Sequence, residues 1–246
     1  MVKLSIMPVA LAMAAAALAV PAPGLAQENV ARASLTQFGV SPLRMEVDAD
    51  ARSTQMRVRN RAGSSLRVQL RAFEWRQVDG KDSYERAQDV RISPSIVEIA
   101  GFRDQTFHVI LPQDAQAGER RYRIVVDEIP DEAPTMQTGA RARLRLTVPL
   151  FVGHAQAEPA SIEAQITPHG IELANSGGRT VKFTRIALVD AAGRKFPLDL
   201  SEGEYLHGGA ARTFALPASV TCRPGYRING EAEGNPFDVA LPEACA

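Results

Sequence analysis

The chain has 246 residues, of which 45% are hydrophobic, and this is enough to bury one large core or two modest ones. Its 28 basic and 28 acidic residues cancel to a formal net charge of zero. No strongly basic balance indicates nucleic acid as a partner, and no acidic tail indicates disorder.

The first residues have the layout of a secretory signal peptide. An uncharged apolar stretch at 7–20 follows Lys3, and the small residues of "GLA" (24–26) precede Gln27 as in a cleavage site. The apolar stretch is shorter than the ~20 residues that a membrane-spanning helix needs, so a retained anchor is the less favoured interpretation. We therefore expect residues 1–26 to be removed and the mature chain to be exported without stable membrane insertion.

Hydrophobic residues alternate at period two through almost all of the remaining chain, which is typical of half-buried β-strands. In "TQMRVRN", Met56 and Val58 fall on one face and two arginines on the other. In "SSLRVQLRAFEW", Phe73 and Trp75 fall on the face opposite to the leucines. No segment after the signal peptide predicts a long helix, so the expected fold class is all-β.

Turn signals between these strands are dense. Asp79-Gly80 and "NSGG" (175–178) supply residues that tolerate the positive φ of tight hairpins. Large aromatic side chains usually stabilise sandwich cores, and we expect four of them to pack in the core or at strand edges rather than to contact a partner. These four are Phe73, Trp75, Phe102 and Phe151.

The stretch "GARARLRLTVPLFV" (139–152) alternates basic and aliphatic residues. The two sets have opposite parity and are Arg141, Arg143 and Arg145 against Leu144, Leu146 and Val148. Successive side chains of a strand point to opposite faces, so this strand has one basic and one apolar face. Basic residues protect edge strands against aggregation, and a solvated edge strand is the plain interpretation.

Residues 153–161 are small and polar, which favours a domain boundary after the aliphatic run. The mature chain then forms two predicted β-sandwiches, residues 27–153 and 154–246. The second contains both cysteines of the chain, Cys222 and Cys245. An even count in an exported protein favours one disulfide, with two buried free thiols as the alternative.

Motifs of enzymes and metal sites are missing from the sequence. The four histidines are scattered, and there is no serine nucleophile elbow, phosphate-binding loop or dinucleotide motif. Asp127 and Glu128 are adjacent, so a strand would point them to opposite faces, and solvation of a strand end is their plain interpretation. We expect no enzymatic activity, no metal and no cofactor.

Four segments follow one another in a characteristic order: "SPLRMEV", "RVRNRAGSSLRVQLRAFEWRQVDG", "RYRIVVDEIP" and "RLRLTVPLFV". This ordered set resembles the periplasmic chaperones of the chaperone–usher pilus pathway, the PapD-like superfamily. The run "FEWRQVDG" (73–80) and the run "VPLFV" are similar to the archaic, Csu-type or spore-coat-U-associated branch. The resemblance covers nearly the whole mature chain and is strongest over residues 41–152.

The resemblance implies two immunoglobulin-like sandwiches in an L or boomerang arrangement, and no enzymatic turnover. Such a chaperone binds a pilin subunit that lacks its last strand, lends it the G1 strand of the first domain, and delivers it to an outer-membrane usher. This mode of binding is β-augmentation. Here the implied G1 donor strand carries Arg141, Leu144, Leu146 and Val148, and parity leaves open whether its aliphatic residues fill the core or the subunit. Self-association of the free protein would also cover this edge.

The family also binds the subunit's C-terminal carboxylate with two basic residues in the cleft between the domains. The first matches Arg44 in "SPLRMEV", since a guanidinium stays charged and forms paired bonds to a carboxylate. Classical members carry the second as a lysine where this chain has Leu144. Arg145 is the predicted second residue, with Arg143 as the alternative. Without the resemblance, Arg44 would equally be a solvated strand arginine.

The resemblance places the mature protein in the periplasm, with pilin subunits and an usher as its partners. An exported two-domain immunoglobulin-like adhesion or structural module is the alternative function. That module would be found in a fibre or on the cell surface.

Overall fold

In the computed structural model, the described residues are 38–113, 118–129, 143–200, 204–217, 220 and 225–241. Every described residue belongs to one compact unit. The predicted signal peptide, Arg141, Cys222 and Cys245 lie outside the described residues.

Ten β-strands come from the described residues before 153. They are β1 (Phe38–Ser41), β2 (Met45–Val47), β3 (Ser53–Asn60), β4 (Leu66–Val78), β5 (Lys81–Arg86), β6 (Arg91–Ser93), β7 (Ile96–Ile99), β8 (Asp104–Ile110), β9 (Arg120–Glu128) and β10 (Arg145–Val152). The period-two pattern is kept in three dimensions. In β3, for example, Met56 and Val58 are buried while the arginines between them are exposed.

These ten strands form two sheets. One has the order β1-β3-β8-β6, and the other has the order β2-β10-β9-β4-β5, with β7 also paired to β4. Neighbouring strands run antiparallel except β2 and β10, which are parallel. One hydrophobic core joins the two sheets, with Val58 and Phe107 from the first sheet and Val68, Ile124 and Val148 from the second.

Eight further strands come from the residues after 160 that the structure describes. They are β11 (Ile162–Thr167), β12 (Gly170–Asn175), β13 (Val181–Val189), β14 (Lys195–Pro197), β15 (Tyr205–Leu206), β16 (Ala211–Phe214), β17 (Arg227–Ala232) and β18 (Asn235–Ala240). They form the sheets β11-β12-β16 and β14-β13-β17-β18, with β15 paired to β13. A second, separate core contains Leu173 from one sheet and Leu188 and Ile228 from the other.

A third, small cluster joins the two sandwiches and contains Trp75, Phe151 and Tyr205. Trp75 and Phe151 lie on the outer face of the first sandwich, and Tyr205 comes from the second. The Trp75 and Tyr205 rings meet edge to face, with their centroids 5.1 Å apart. Such aromatic pairs favour this geometry, so the contact fixes a direction as well as burying area. We use the term joint for this cluster together with the residues that contact it.

The run 73–80 builds one side of the joint. Its last two residues, Asp79 and Gly80, have φ values of 51° and 74° and form the two-residue loop between β4 and β5, as the Asp-Gly pair predicts. Gln77, near the end of β4, donates its side-chain amide to the carbonyl of Tyr205 at 2.9 Å and accepts the N–H of His207 at 2.9 Å. The hairpin therefore ties the first sandwich to β15 and the residue that follows it.

The all-β prediction is confirmed, and the described strands form two β-sandwiches. The predicted packing of Trp75 and Phe151 is also confirmed, but that of Phe102 is wrong because its side chain is 67% exposed. Phe102 has a φ of 59° in the turn between β7 and β8, where strand alternation no longer decides which way a side chain points. Within the described ranges, no helix is long and apolar enough to cross a membrane.

Candidate functional site

β10 has one edge that is only partly covered. On one side it pairs with β9 along its whole length, from Arg145 opposite Asp127 to Val152 opposite Arg120. On the other side it pairs with β2 only at residues 150–152. Within the described part of the chain, no strand pairs with that second edge at residues 145–149. The backbone groups along such an edge can pair with a strand from another chain.

The two faces of β10 have different surroundings. Val148 is fully buried in the core of the first sandwich, and Leu144 and Leu146 pack against the same core but stay partly exposed. These aliphatic side chains therefore lie at the rim of the first core, next to the uncovered edge of β10. The opposite face exposes Arg145 and ends at the joint with the buried ring of Phe151.

Arg44 immediately precedes β2, and its side chain is 22% exposed. Its Nη1 donates to both carboxylate oxygens of Glu233 at 2.8 and 2.9 Å, and its Nε lies 2.5 Å from Glu46. The guanidinium carbon lies 4.8 Å from the centre of the Phe151 ring. Burial would lower the pKa of Arg44, but the bond and charge of Glu233 outweigh it and raise the pKa. Arg44 is thus a permanent cation that already binds a carboxylate.

A second guanidinium lies on the other side of β10. Arg123 of β9 is opposite Pro149, and its guanidinium stacks 3.6 Å from the Trp75 ring centre and 5.0 Å from that of Tyr205. Such cation–π contacts hold an arginine in place. Arg44 and Arg123 therefore flank the aromatic cluster of the joint from opposite sides.

Arg145 lies farther from the joint. It is four residues before Pro149, a separation of about 13 Å along a strand. Its side chain is 64% exposed, and its Nε lies 2.5 Å from Asp127, which also accepts a bond from Arg71. Asp127 thus holds two arginines, whereas the sequence suggested simple solvation. Arg143 is exposed and lies just before β10.

An open groove of about 340 Å³ runs along the outer face of the sheet that contains β10, between Arg145 and the joint. Its lining includes Phe73, Val125 and Thr147, with Arg123 near the joint and Arg145 at the other end. An apolar floor between cations suits an extended, partly acidic segment.

A buried carboxylate ties the sandwiches together on the other side of the joint. Glu119, just before β9, has a fully buried side chain that accepts bonds from Arg121 at 2.6 Å, from the N–H and hydroxyl of Thr180, and from the imidazole of His154. Arg121 also donates to the carbonyl of Gly178 at 2.9 Å. Burial would raise the pKa of Glu119, but the bonds from His154, Thr180 and Arg121 lower it to about 2.

Sequence reasoning missed three residues of this region: Glu119, Arg123 and Glu233. Arg123 stands in "RRYRIVVDE", where alternating arginine indicates only a solvated strand face. Glu233 precedes Gly234 and indicates only a hairpin turn. Each gains its role from a contact across the joint, and nothing local in the sequence signals such a contact.

The chemistry of the site is anion binding beside a strand edge. Two guanidinium groups and apolar rings can hold a carboxylate, and the open edge can hold the backbone that leads to it. Among the described residues, no group of His, Cys, Asp and Glu is arranged to hold a metal ion.

Residues 37–157 match a family model described as the pili and flagellar-assembly chaperone, PapD N-terminal domain. The match contains Arg44, the whole first sandwich and all of β10. In class the protein is therefore an assembly chaperone rather than an enzyme. The chain belongs to the PapD-like pilus chaperones of the chaperone–usher pathway.

Solved structures agree with the fold. The chaperone–tip adhesin complex CsuC–CsuE from archaic Csu pili of Acinetobacter baumannii matches with a TM-score of 0.62 and 17% identity, over 84% of this chain and 99% of the other. The SafB chaperone complex with the SafA pilin from Salmonella enterica gives a TM-score of 0.64 and 13% identity, over 83% and 96%. The CupB2 chaperone of Pseudomonas aeruginosa gives 0.58 and 15%, over 83% and 100%. No curated protein sequence matches this chain significantly.

Proposed function

We propose that this chaperone captures a pilin subunit with an incomplete sandwich and completes it with the open edge of β10. The observation that carries the proposal is this edge at residues 145–149, which leads directly to the Arg44 side of the joint. Backbone bonds along the edge supply affinity for any extended strand. The rim leucines, Leu144 and Leu146, and then Val148 supply the apolar surface that a subunit lacking a strand would cover. Arg141, which the resemblance also assigns to the donor strand, lies outside the described residues.

Arg44 then binds the C-terminal carboxylate of the subunit. The second cation is Arg123 in this proposal, with Arg145 and Arg143 as the alternatives. Arg123 lies across one strand from Arg44 and against other rings of the same aromatic cluster. Arg145 lies about 13 Å along the strand, where it would meet the subunit backbone rather than its terminus.

The cellular setting follows from the family and the N-terminal sequence. We propose cleavage of residues 1–26 between Ala26 and Gln27, and a periplasmic protein with domains at 27–153 and 154–246. An outer-membrane usher receives the subunit from it. The free protein self-associates through the β10 edge, and a Cys222–Cys245 disulfide stabilises the second domain.

The test is subunit capture in the periplasm of a laboratory bacterium. The chaperone is co-expressed with a candidate pilin, a small exported protein with an incomplete sandwich, and the amount of 1:1 complex is measured after purification. Arg44→Ala is expected to reduce the complex at least tenfold, since a charge-assisted paired bond is worth about 1.5–3 kcal/mol. Arg57→Ala removes an exposed strand arginine of β3 and serves as the matched control. Equal yields from the two variants would show that Arg44 does not anchor the subunit.

A further inference from the structure

Glu233 occupies an unusual backbone position at the joint. It forms the two-residue loop between β17 and β18 with Gly234, and the two residues have φ values of 51° and 76°. Such loops favour Asn, Asp or Gly, because other side chains are strained in the left-handed region. Strain that persists at one residue points to a role for its side chain.

The side chain of Glu233 reaches across the joint to Arg44. Both of its oxygens accept bonds from Arg44 Nη1, and one of them also accepts the N–H of Lys182 at 2.7 Å. The backbone N–H of Glu233 donates to the carbonyl of Lys182 at 3.0 Å and holds the loop against β13. The Glu233 side chain is still 33% exposed, so its carboxylate can reach solvent.

Arg44 keeps unused binding capacity beside this contact. Its Nη2 is buried and has no hydrogen-bond partner among the described residues. A buried donor without a partner is costly, and a ligand carboxylate that bridged Nη1 and Nη2 would satisfy it. The contact with Glu233 thus satisfies Arg44 less fully than a terminal carboxylate could.

We propose that Glu233 is an internal substitute for the subunit's C-terminal carboxylate, which holds Arg44 in the empty chaperone and is displaced when a subunit binds. The proposal rests on the role of Arg44 in the proposed function. An intramolecular carboxylate competes at a high effective concentration, so a free carboxylate alone displaces it poorly. A ligand that also pairs with the β10 edge can displace it. Glu233 therefore makes capture depend both on a C-terminal carboxylate and on a strand that pairs with the β10 edge. When Glu233 binds Arg44 again, it assists release of the subunit.

The test compares Glu233→Gln with Glu231→Gln. Both variants remove one negative charge from the β17–β18 hairpin, but Glu231 pairs with Arg185 instead of Arg44. The probe is a short N-acetylated peptide of alternating valine and threonine, made with a free C-terminal carboxylate and as its amide. Binding is followed through the backbone N–H signals of residues 145–148 of β10 in NMR titrations of the full mature chain, because every variant keeps these signals.

Glu233→Gln is expected to bind the carboxylate peptide about tenfold more tightly than wild type, with no gain for the amide, because the competing carboxylate is gone. Glu231→Gln is expected to match wild type. Equal affinity of Glu233→Gln and Glu231→Gln for the carboxylate peptide would overturn the proposal, and so would failure of Glu233→Gln to bind it.

Arg44→Ala keeps this test separate from the proposed function. It is expected to bind the carboxylate and the amide peptides equally. If it does, and Glu233→Gln behaves as wild type, Arg44 remains the anchor and only the role of Glu233 is wrong. If Arg44→Ala still prefers the carboxylate and also captures the pilin normally, the anchor itself is wrong.

Discussion

Two glutamates link the sandwiches of this chaperone, and their surroundings are opposite. Glu119 reaches from the first sandwich, is fully buried, and accepts bonds from three side chains and a backbone N–H. Glu233 reaches from the second sandwich, is one-third exposed, and has Arg44 as its charged partner among the described residues. The Glu119 carboxylate is saturated with hydrogen-bond donors. The Glu233 carboxylate binds a guanidinium whose Nη2 has no hydrogen-bond partner among the described residues.

The difference separates a structural link from an exchangeable one. Removing a saturated buried carboxylate leaves its partners charged or polar in a place that water does not reach. Removing a partly exposed one lets solvent or a ligand take its place. The same residue type can therefore hold the domains together at one side of the joint and regulate a binding site at the other.

Glu119→Ala is expected to have the largest effect on stability. It should lower the free energy of unfolding by about 3–5 kcal/mol, because Arg121 and His154 lose their buried partner. Glu233→Ala should cost less than about 1 kcal/mol. Urea unfolding followed by tryptophan fluorescence measures both, since Trp75 is the only tryptophan and lies in the joint. If the two variants lose similar amounts of unfolding free energy, the distinction between a structural Glu119 and an exchangeable Glu233 is wrong.

Acid should weaken the buried side of the joint. His207 packs against Trp75 with ring centroids 4.4 Å apart, and burial, helped by the charge of Arg121, lowers its pKa to about 3. The unfolded chain binds a proton at this histidine below about pH 6.5 while the folded protein does not, so stability falls as pH drops from there towards 3. The loss from His207 alone amounts to about 2 kcal/mol at pH 5.

His207→Phe tests this prediction, because it keeps a ring against Trp75 but cannot bind a proton. The free energy of unfolding of wild type and variant is measured by urea titration at pH 7, 6 and 5. The variant should lose less stability than wild type over this range, by about 2 kcal/mol at pH 5. Parallel losses would show that His207 is protonated inside the folded protein.

The sequence predicted the sandwiches well because their signal is local. In β3, each arginine between Met56 and Val58 marks the solvent face without reference to any other strand. The loop of Asp79 and Gly80 is equally local, since two adjacent residues decide whether the backbone can turn there. The predicted packing of Phe102 was wrong because this residue lies in a turn, where side chains do not alternate between two faces as they do in a strand.

The joint was not predictable in the same way. Glu119 and Thr180 are 61 residues apart, and Arg44 and Glu233 are 189 apart. Each of these residues is ordinary in its own segment, and only the docking of the sandwiches brings the pairs together. The ordered resemblance singled out Arg44 as a predicted anchor, because a family pattern carries tertiary information that composition and periodicity lack.

The smallest expected effect concerns Arg145, the predicted second anchor. The Arg145 side chain is largely exposed and Asp127 keeps its bond from Arg71, so Arg145→Ala should change stability by no more than about 0.5 kcal/mol. If the anchor pair is Arg44 with Arg123, capture of the pilin should also change less than about twofold in this variant, because β-augmentation depends on the backbone of β10. Arg123→Ala should reduce capture more strongly, since it removes a cation beside Arg44 and the stack on Trp75.

Capture yield and unfolding free energy should be measured on the same preparations, because Arg123→Ala also removes packing from the joint. Arg123→Lys provides the control, as it keeps the charge but loses the planar stack. If Arg145→Ala loses capture while Arg123→Ala retains it, the second anchor lies on β10, and the carboxylate reaches past the joint towards Asp127. If Arg123→Ala loses capture of the pilin and Arg123→Lys keeps it, the positive charge of Arg123 is what capture needs. The second anchor then lies beside Arg44, on the side of the joint that Glu233 occupies.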